Sequence, residues 1–129
     1  MGDLTKNISR SEMACNCGCW FDSMDYSTLI IVQRTCDYFA DKLGLDRVVC
    51  NIHSAARCFK YNRTPAVGSD DNSQHPLARA IDFDIEGVAP IEIYEHLNTL
   101  YGHKVSLGLY KTFVHIDTRT NGGKRWSGV

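Results

Sequence analysis

At 129 residues the chain has the size of one ordinary domain, long enough to bury a core without disulfide or metal staples. Apolar residues make up 43% and charged residues 22%, and the formal net charge is -1 with Lys and Arg scattered, which argues against nucleic acid or an anionic membrane as partner. No apolar run approaches bilayer length, and the start Met1-Gly2-Asp3-Leu4-Thr5-Lys6 lacks the apolar stretch of a signal peptide, so cytoplasmic synthesis is expected.

Residues 1 to 24 read as an irregular, polar N-terminal arm within a single domain spanning 1 to 129. The arm holds Cys15, Cys17 and Cys19, half of the six cysteines. Cys-x-Cys-x-Cys matches a structural zinc site imperfectly, since such sites space their cysteines by two to four residues. Three readings stand: reduced and mainly structural thiols, a second metal site on the N-terminal trio, or disulfides, against which the missing signal sequence argues.

From Asp25, a good N-cap, apolar residues recur at Leu29, Val32, Cys36, Phe39, Ala40 and Leu43, the spacing of one helix face, and Gly44 ends the run. Asp46 to His53 reads as a short strand entering Ser54-Ala55-Ala56-Arg57. Residues 58 to 74 are rich in Asn, Pro, Gly, Ser and Asp and predict a long loop, a feature that in a small domain is usually functional. Ala80 to Ile85 alternates, with Ile81, Phe83 and Ile85 on one face and Ala80, Asp82 and Asp84 on the other. Pro90 opens a second helix through Ile91, Tyr94, Leu97, Leu100 and Tyr101, stopped by Gly102. Lys104 to Leu109 and Thr112 to Thr118 predict an antiparallel hairpin turning at Tyr110-Lys111, and residues 121 to 126 read as a loop. This order of helices and strands implies an α+β fold, a small antiparallel sheet with flanking helices.

Two stretches carry the chemistry: Ser73-Gln74-His75-Pro76-Leu77-Ala78-Arg79-Ala80-Ile81-Asp82 and Phe113-Val114-His115-Ile116-Asp117. They supply two imidazoles and a carboxylate, the donor set that holds a catalytic zinc with one position open for water. His75 and Asp82 are seven residues apart, an odd separation that a single strand would place on opposite faces, so the chain must bend near Pro76. Neighbouring strands could then present Asp82 and His115 to one metal, with His75 reaching in from the loop.

On these residues the chain resembles the zinc D-Ala-D-Ala carboxypeptidases and their relatives, the L-alanyl-D-glutamate and murein endopeptidases of the hedgehog/DD-peptidase fold. The family pattern Ser-x-His-x-x-Gly-x-Ala-x-Asp aligns with Ser73, His75, Ala78, Ala80 and Asp82, and Val-His-x-Asp-x-Arg aligns with Val114-His115-Ile116-Asp117-Thr118-Arg119. Ser54-Ala55-Ala56-Arg57 matches a Ser-x-x-Arg turn, Asn62 and Gly68 fall at common loop positions, and Ser11 to Cys19 is similar to an N-terminal stretch of the group. Ala78 stands where Gly is usual, and Thr112 and Phe113 stand where some relatives carry an acid or a His.

The resemblance implies Zn2+ held by His75, Asp82 and His115, lowering the pKa of bound water to about 7 and polarising an amide carbonyl. A carboxylate must then take the water's proton. Asp117, two along the strand from His115, is the first candidate and Asp84 the second; the structural alternative is that either merely orients a ligand imidazole. Arg57 would fork onto a substrate carboxylate or carbonyl, unless it is an ordinary surface charge. Ser73 would hydrogen-bond substrate or cap a turn, and Tyr110 and Trp126 would wall the cleft or fill the core. His53, His96 and His103 lack a comparable setting and read as structural or solvated. The implied activity is a monomeric zinc peptidase acting on peptidoglycan stem peptides, of carboxypeptidase or endopeptidase type. The small size suggests a phage lytic enzyme, virion-associated or released to the wall by other means. The rival is a catalytically silent zinc-binding module of the same fold.

Overall fold

A computed structural model describes residues 5–13, 26–54, 79–119 and 123–128. Helices α1 (Arg10–Met13), α2 (Tyr26–Leu43) and α3 (Pro90–Tyr101) accompany strands β1 (Cys50–Ser54), β2 (Ala80–Ile85), β3 (Ser106–Leu109), β4 (Val114–Asp117) and β5 (Arg125–Ser127). The strands form one sheet in the order β1-β2-β4-β3-β5, antiparallel except for the parallel β3–β5 pair. This is the expected α+β architecture. Among the described residues no helix is long and apolar enough to cross a membrane.

Alternation along β2 and β4 sorts the side chains onto two faces. Ile81, Phe83 and Ile85 join Val114, Ile116 and Leu107 in the core, each with at most 1% of its surface exposed. Helix α2 covers this layer with Leu29, Val32, Cys36, Phe39 and Ala40, the stripe read from the sequence except for Leu43, which is exposed, and α3 adds Leu97 and the unread Ile93, while Ile91 and Leu100 face out. Cys36 and Cys50 are buried free thiols in this core. A hydrogen bond with Cys36, together with burial, pushes the Cys50 thiol far up.

The helix ends follow their punctuation. At the end of α2, Gly44 at φ +70° donates its N–H to Asp41 and Leu45 donates to Ala40, the paired bonds of a Schellman motif that needs a left-handed residue. Pro90 occupies the first turn of α3, where its missing N–H costs nothing. At the other end, Gly102 turns the chain at φ +57° and donates its N–H to Asn98. Arg125 then donates to the Gly102 and Val105 carbonyls and to Asn98 Oδ1, placing a cation at the negative end of α3.

Two expectations are revised. The N-terminal arm is not wholly irregular, because α1 forms and Ile8 and Met13 are fully buried in the core. Residues 125–127 are a strand rather than loop, held along β3 in a register that pairs Gly108 with Trp126. A three-residue strand has too little alternation to be read against its Gly-rich approach.

The arm is fastened by a buried polar clasp. Gln33 Oε1 accepts from the Asn7 N–H at 2.9 Å and from Thr5 Oγ1 at 2.6 Å, while Gln33 Nε2 donates to Asn7 Oδ1 at 2.8 Å. Asn7 Nδ2 in turn donates to the Val48 carbonyl at 2.6 Å, just before β1. Replacing Asn7 with Ala would take the acceptor from one Gln33 N–H, whose amide keeps Thr5, Asp37 and the backbone N–H of residue 7, and the donor from the Val48 carbonyl, at a cost of about 1–3 kcal/mol. Chemical denaturation should show a lowered midpoint with an unchanged slope; an unchanged midpoint would mean that the clasp contributes nothing.

Candidate metal-binding face

The opposite face of the sheet is polar. Asp82 lies across from His115 in the β2–β4 register, and Ala80 across from Asp117. His115 and Asp82 are buried, and Asp117 has none of its surface exposed. His115 Nδ1 sits 2.8 Å from Asp82 Oδ1, and its Nε2 sits 2.8 Å from Asp117 Oδ2.

Arg119 completes the line behind Asp117. Its Nε donates to Asp117 Oδ1 at 2.8 Å and its Nη2 to Oδ2 at 2.6 Å, a bidentate fork, and its backbone N–H adds a bond to Oδ1 at 3.2 Å. Burial works to raise the Asp117 pKa, but the bonds from Arg119 and His115 outweigh it and hold the carboxyl at about 2. The same fork raises the Arg119 pKa. For His115, burial favours the neutral ring, yet the bonds to Asp117 and Asp82 win and the net shift is upward.

Asp117, expected as the proton acceptor, therefore sits beneath the site with its oxygens taken by Arg119 and His115. This is the posture of a carboxylate that fixes an imidazole's tautomer and orientation. Arg119 was read only as part of a motif. Its i, i+2 spacing from Asp117 on one strand face was the available signal.

A wall of aromatic rings borders the centre. The Trp126 indole lies 4.9 Å from the His115 ring, centroid to centroid, and the Arg119 guanidinium stands 5.6 Å from the indole. Trp126 Nε1 donates to Tyr110 Oη at 2.9 Å, and Tyr110 stacks on Phe113 at 4.5 Å. Gly108, paired with both His115 and Trp126, makes room for this: a Cβ there would lie 2.4 Å from Trp126 Nε1. Gly108→Ala should push the indole off His115 and cost about 1–3 kcal/mol by overpacking. Tryptophan fluorescence and thermal melting would record both effects, and a wild-type spectrum and midpoint would refute the close approach.

Phe113 also stacks on His53 at 4.9 Å, and His53 Nε2 lies 2.6 Å from Asp84 Oδ2. Asn51 Nδ2 donates to Asp84 Oδ1 at 2.9 Å. His53, read from the sequence as structural or solvated, thus belongs to the same polar face. His53 stands two residues after Asn51, the register partner of Asp84, so alternation along β1 places it on this face, and the register shifts beside it, between Ile52 and Ser54.

The expected third ligand His75, the substrate residues Arg57 and Ser73, the loop of 58 to 74, and Cys15, Cys17 and Cys19 lie outside the described residues. Among the described residues no three His, Cys, Asp or Glu side chains form a metal-holding group. The two candidate ligands that are described do fit one. An imidazole nitrogen and a carboxylate oxygen meet at 2.8 Å on a buried surface. The second ring nitrogen is held by a further carboxylate, as in carboxylate–histidine–metal arrangements. Carboxylates only accept, so the proton between Nδ1 and Asp82 is the one a divalent cation would displace.

The sequence profile of the Peptidase M15 family, whose peptidases generally depend on zinc, matches residues 6–117. Neither the curated proteins nor the solved structures contain a match. The matched span takes in α1 through β4 and ends on Asp117, the carboxylate that holds His115. The chain belongs to the Peptidase M15 family.

Proposed function

We propose that the chain is a zinc-dependent peptidase that cleaves a peptide bond in peptidoglycan stem peptides, as a carboxypeptidase or an endopeptidase. The observation that carries this reading is the contact of Asp82 Oδ1 with His115 Nδ1 on the polar face of an M15 peptidase sheet, with Asp117 behind the ring. His75, Asp82 and His115 would hold the zinc. The metal supplies Lewis acidity toward a carbonyl and a water made acidic enough to attack near neutral pH.

The chain's own residues supply the rest. Asp117, locked by Arg119, keeps Nδ1 of His115 turned toward Asp82. Arg57, of the Ser54-Ala55-Ala56-Arg57 motif, takes the substrate's carboxylate or carbonyl in a bidentate grip, and Ser73 donates a hydrogen bond to the peptide. Trp126 and Tyr110 form the apolar wall that keeps bulk water from the reacting bond. The same proposal takes the chain as a monomer and as a lytic enzyme of phage type.

Digesting defined muropeptides with zinc-loaded protein and weighing the fragments by mass spectrometry tests the reading. One new fragment pair, abolished by a chelator and restored by zinc, is expected. Intact muropeptides with zinc confirmed on the protein would instead support a silent binding module.

A further inference from the structure

Resting on the reading of the polar face as a metallopeptidase site, we propose that His53, oriented by Asp84, is the residue that carries the proton between the attacking water and the leaving amine. Both contacts of His53 lie one step along the sheet from a candidate metal ligand. Asp84 is two residues from Asp82 on the same face of β2, and Phe113 is two residues before His115, directly ahead of β4. Two residues along a strand span about 7 Å, which places the His53 ring beside the candidate ligands Asp82 and His115 rather than beneath them. His53 stands two residues after Asn51, the register partner of Asp84, so alternation along β1 puts it on this face, and it directly precedes Ser54, which pairs with Asp82.

The bonding fixes the chemistry of the ring. Asp84 can only accept, so Nε2 carries the hydrogen and the neutral ring presents Nδ1 as a bare acceptor. Among the described residues Nδ1 has no partner, and the His53 side chain is 34% exposed. Asp84 is itself held by Asn51, and Phe113 stacks on the imidazole, so two directions fix the ring. Asp117 differs on each count: it is fully buried, bonded at both oxygens and shut away from solvent.

The step balances. As the water oxygen bonds the carbonyl carbon, one water proton passes to His53 Nδ1. The imidazolium so formed is stabilised by the Asp84 carboxylate, as in a Ser-His-Asp triad. When the C–N bond breaks, the same proton is delivered to the leaving nitrogen, and His53 returns to its starting form.

The test uses the full chain loaded with zinc. His53→Gln keeps an amide N–H for Asp84 and much of the stack on Phe113, yet cannot carry a proton. It should fold, retain zinc, and lose about 100-fold or more in kcat with KM little changed. His53→Ala should behave alike and recover part of its turnover when imidazole is added. Independently of turnover, long-range 1H–15N NMR of the wild-type protein should show the His53 ring protonated at Nε2 and bare at Nδ1. Asp84→Asn should erase that preference. Wild-type kcat in His53→Gln, or a ring protonated at Nδ1 alone, would overturn the assignment. A wild-type protein that cleaves no muropeptide would instead remove the peptidase reading, while the ring tautomer would still decide whether Asp84 orients His53.

Discussion

Asp117→Asn is expected to weaken zinc binding by about 10–100-fold and to lower the stability of the fold by about 3 kcal/mol. The carboxylate joins two buried partners that depend on its charge. Arg119 forks onto both oxygens, and His115 Nε2 meets one of them. An amide of the same shape keeps one acceptor oxygen, but presents N–H groups to a guanidinium or an imidazole N–H that has nothing to give back. The Arg119 charge, whose side chain is 12% exposed, then lies uncompensated, which makes breaking one side of such a pair costly. The ring of His115 is at the same time freed to rotate, and Nδ1 no longer faces Asp82 by default. A proton-accepting role for Asp117 predicts a different outcome: zinc affinity near wild type with turnover almost abolished. Titrating zinc into both proteins by calorimetry separates the two, because only an orienting carboxylate changes the dissociation constant.

His115→Ala should have the larger effect on metal and activity. His115 meets both Asp82 and Asp117 through its two ring nitrogens, so its loss leaves two buried carboxylates on one face without the group between them. Zinc sites of four ligands are worth about 10–16 kcal/mol, so one ligand accounts for roughly 3 kcal/mol, and affinity should fall on the order of 10²–10³-fold. Hydrolysis should disappear with the metal. The fold should survive, since the core face of β4 is built from Val114 and Ile116, which the substitution does not touch. Metal content by mass spectrometry after dialysis, alongside a thermal melt, checks both parts. A variant that keeps stoichiometric zinc would show that His115 is not a ligand.

The sequence disclosed the elements whose periodicity is long and clean. α2 is an 18-residue helix, β2 starts and ends at the residues where alternation starts and ends, and α3 runs between its Pro and Gly signals. Asp82, His115 and Asp117 were placed on one face by counting in twos from their neighbours, and the β2–β4 register brings them together. What escaped was short or non-periodic. α1 has a single turn, β5 three residues, and the place of His53 beside Asp84 depends on a β1–β2 pairing that the alternation of one strand does not give. The different surroundings of Asp117 and His53 are not legible for a related reason: both are ionisable residues near the candidate ligands, and only their hydrogen-bond partners tell a buried, doubly bonded carboxylate from a partly exposed imidazole.

The proposal that the polar face of the sheet is a metal centre is tested most directly by X-ray diffraction from zinc-soaked crystals, recorded on both sides of the zinc absorption edge. An anomalous peak within bonding distance of Asp82 Oδ1, His115 Nδ1 and His75, with its fourth side open to solvent, is the expected result. A peak elsewhere, or zinc enclosed on all sides by protein atoms, would contradict it.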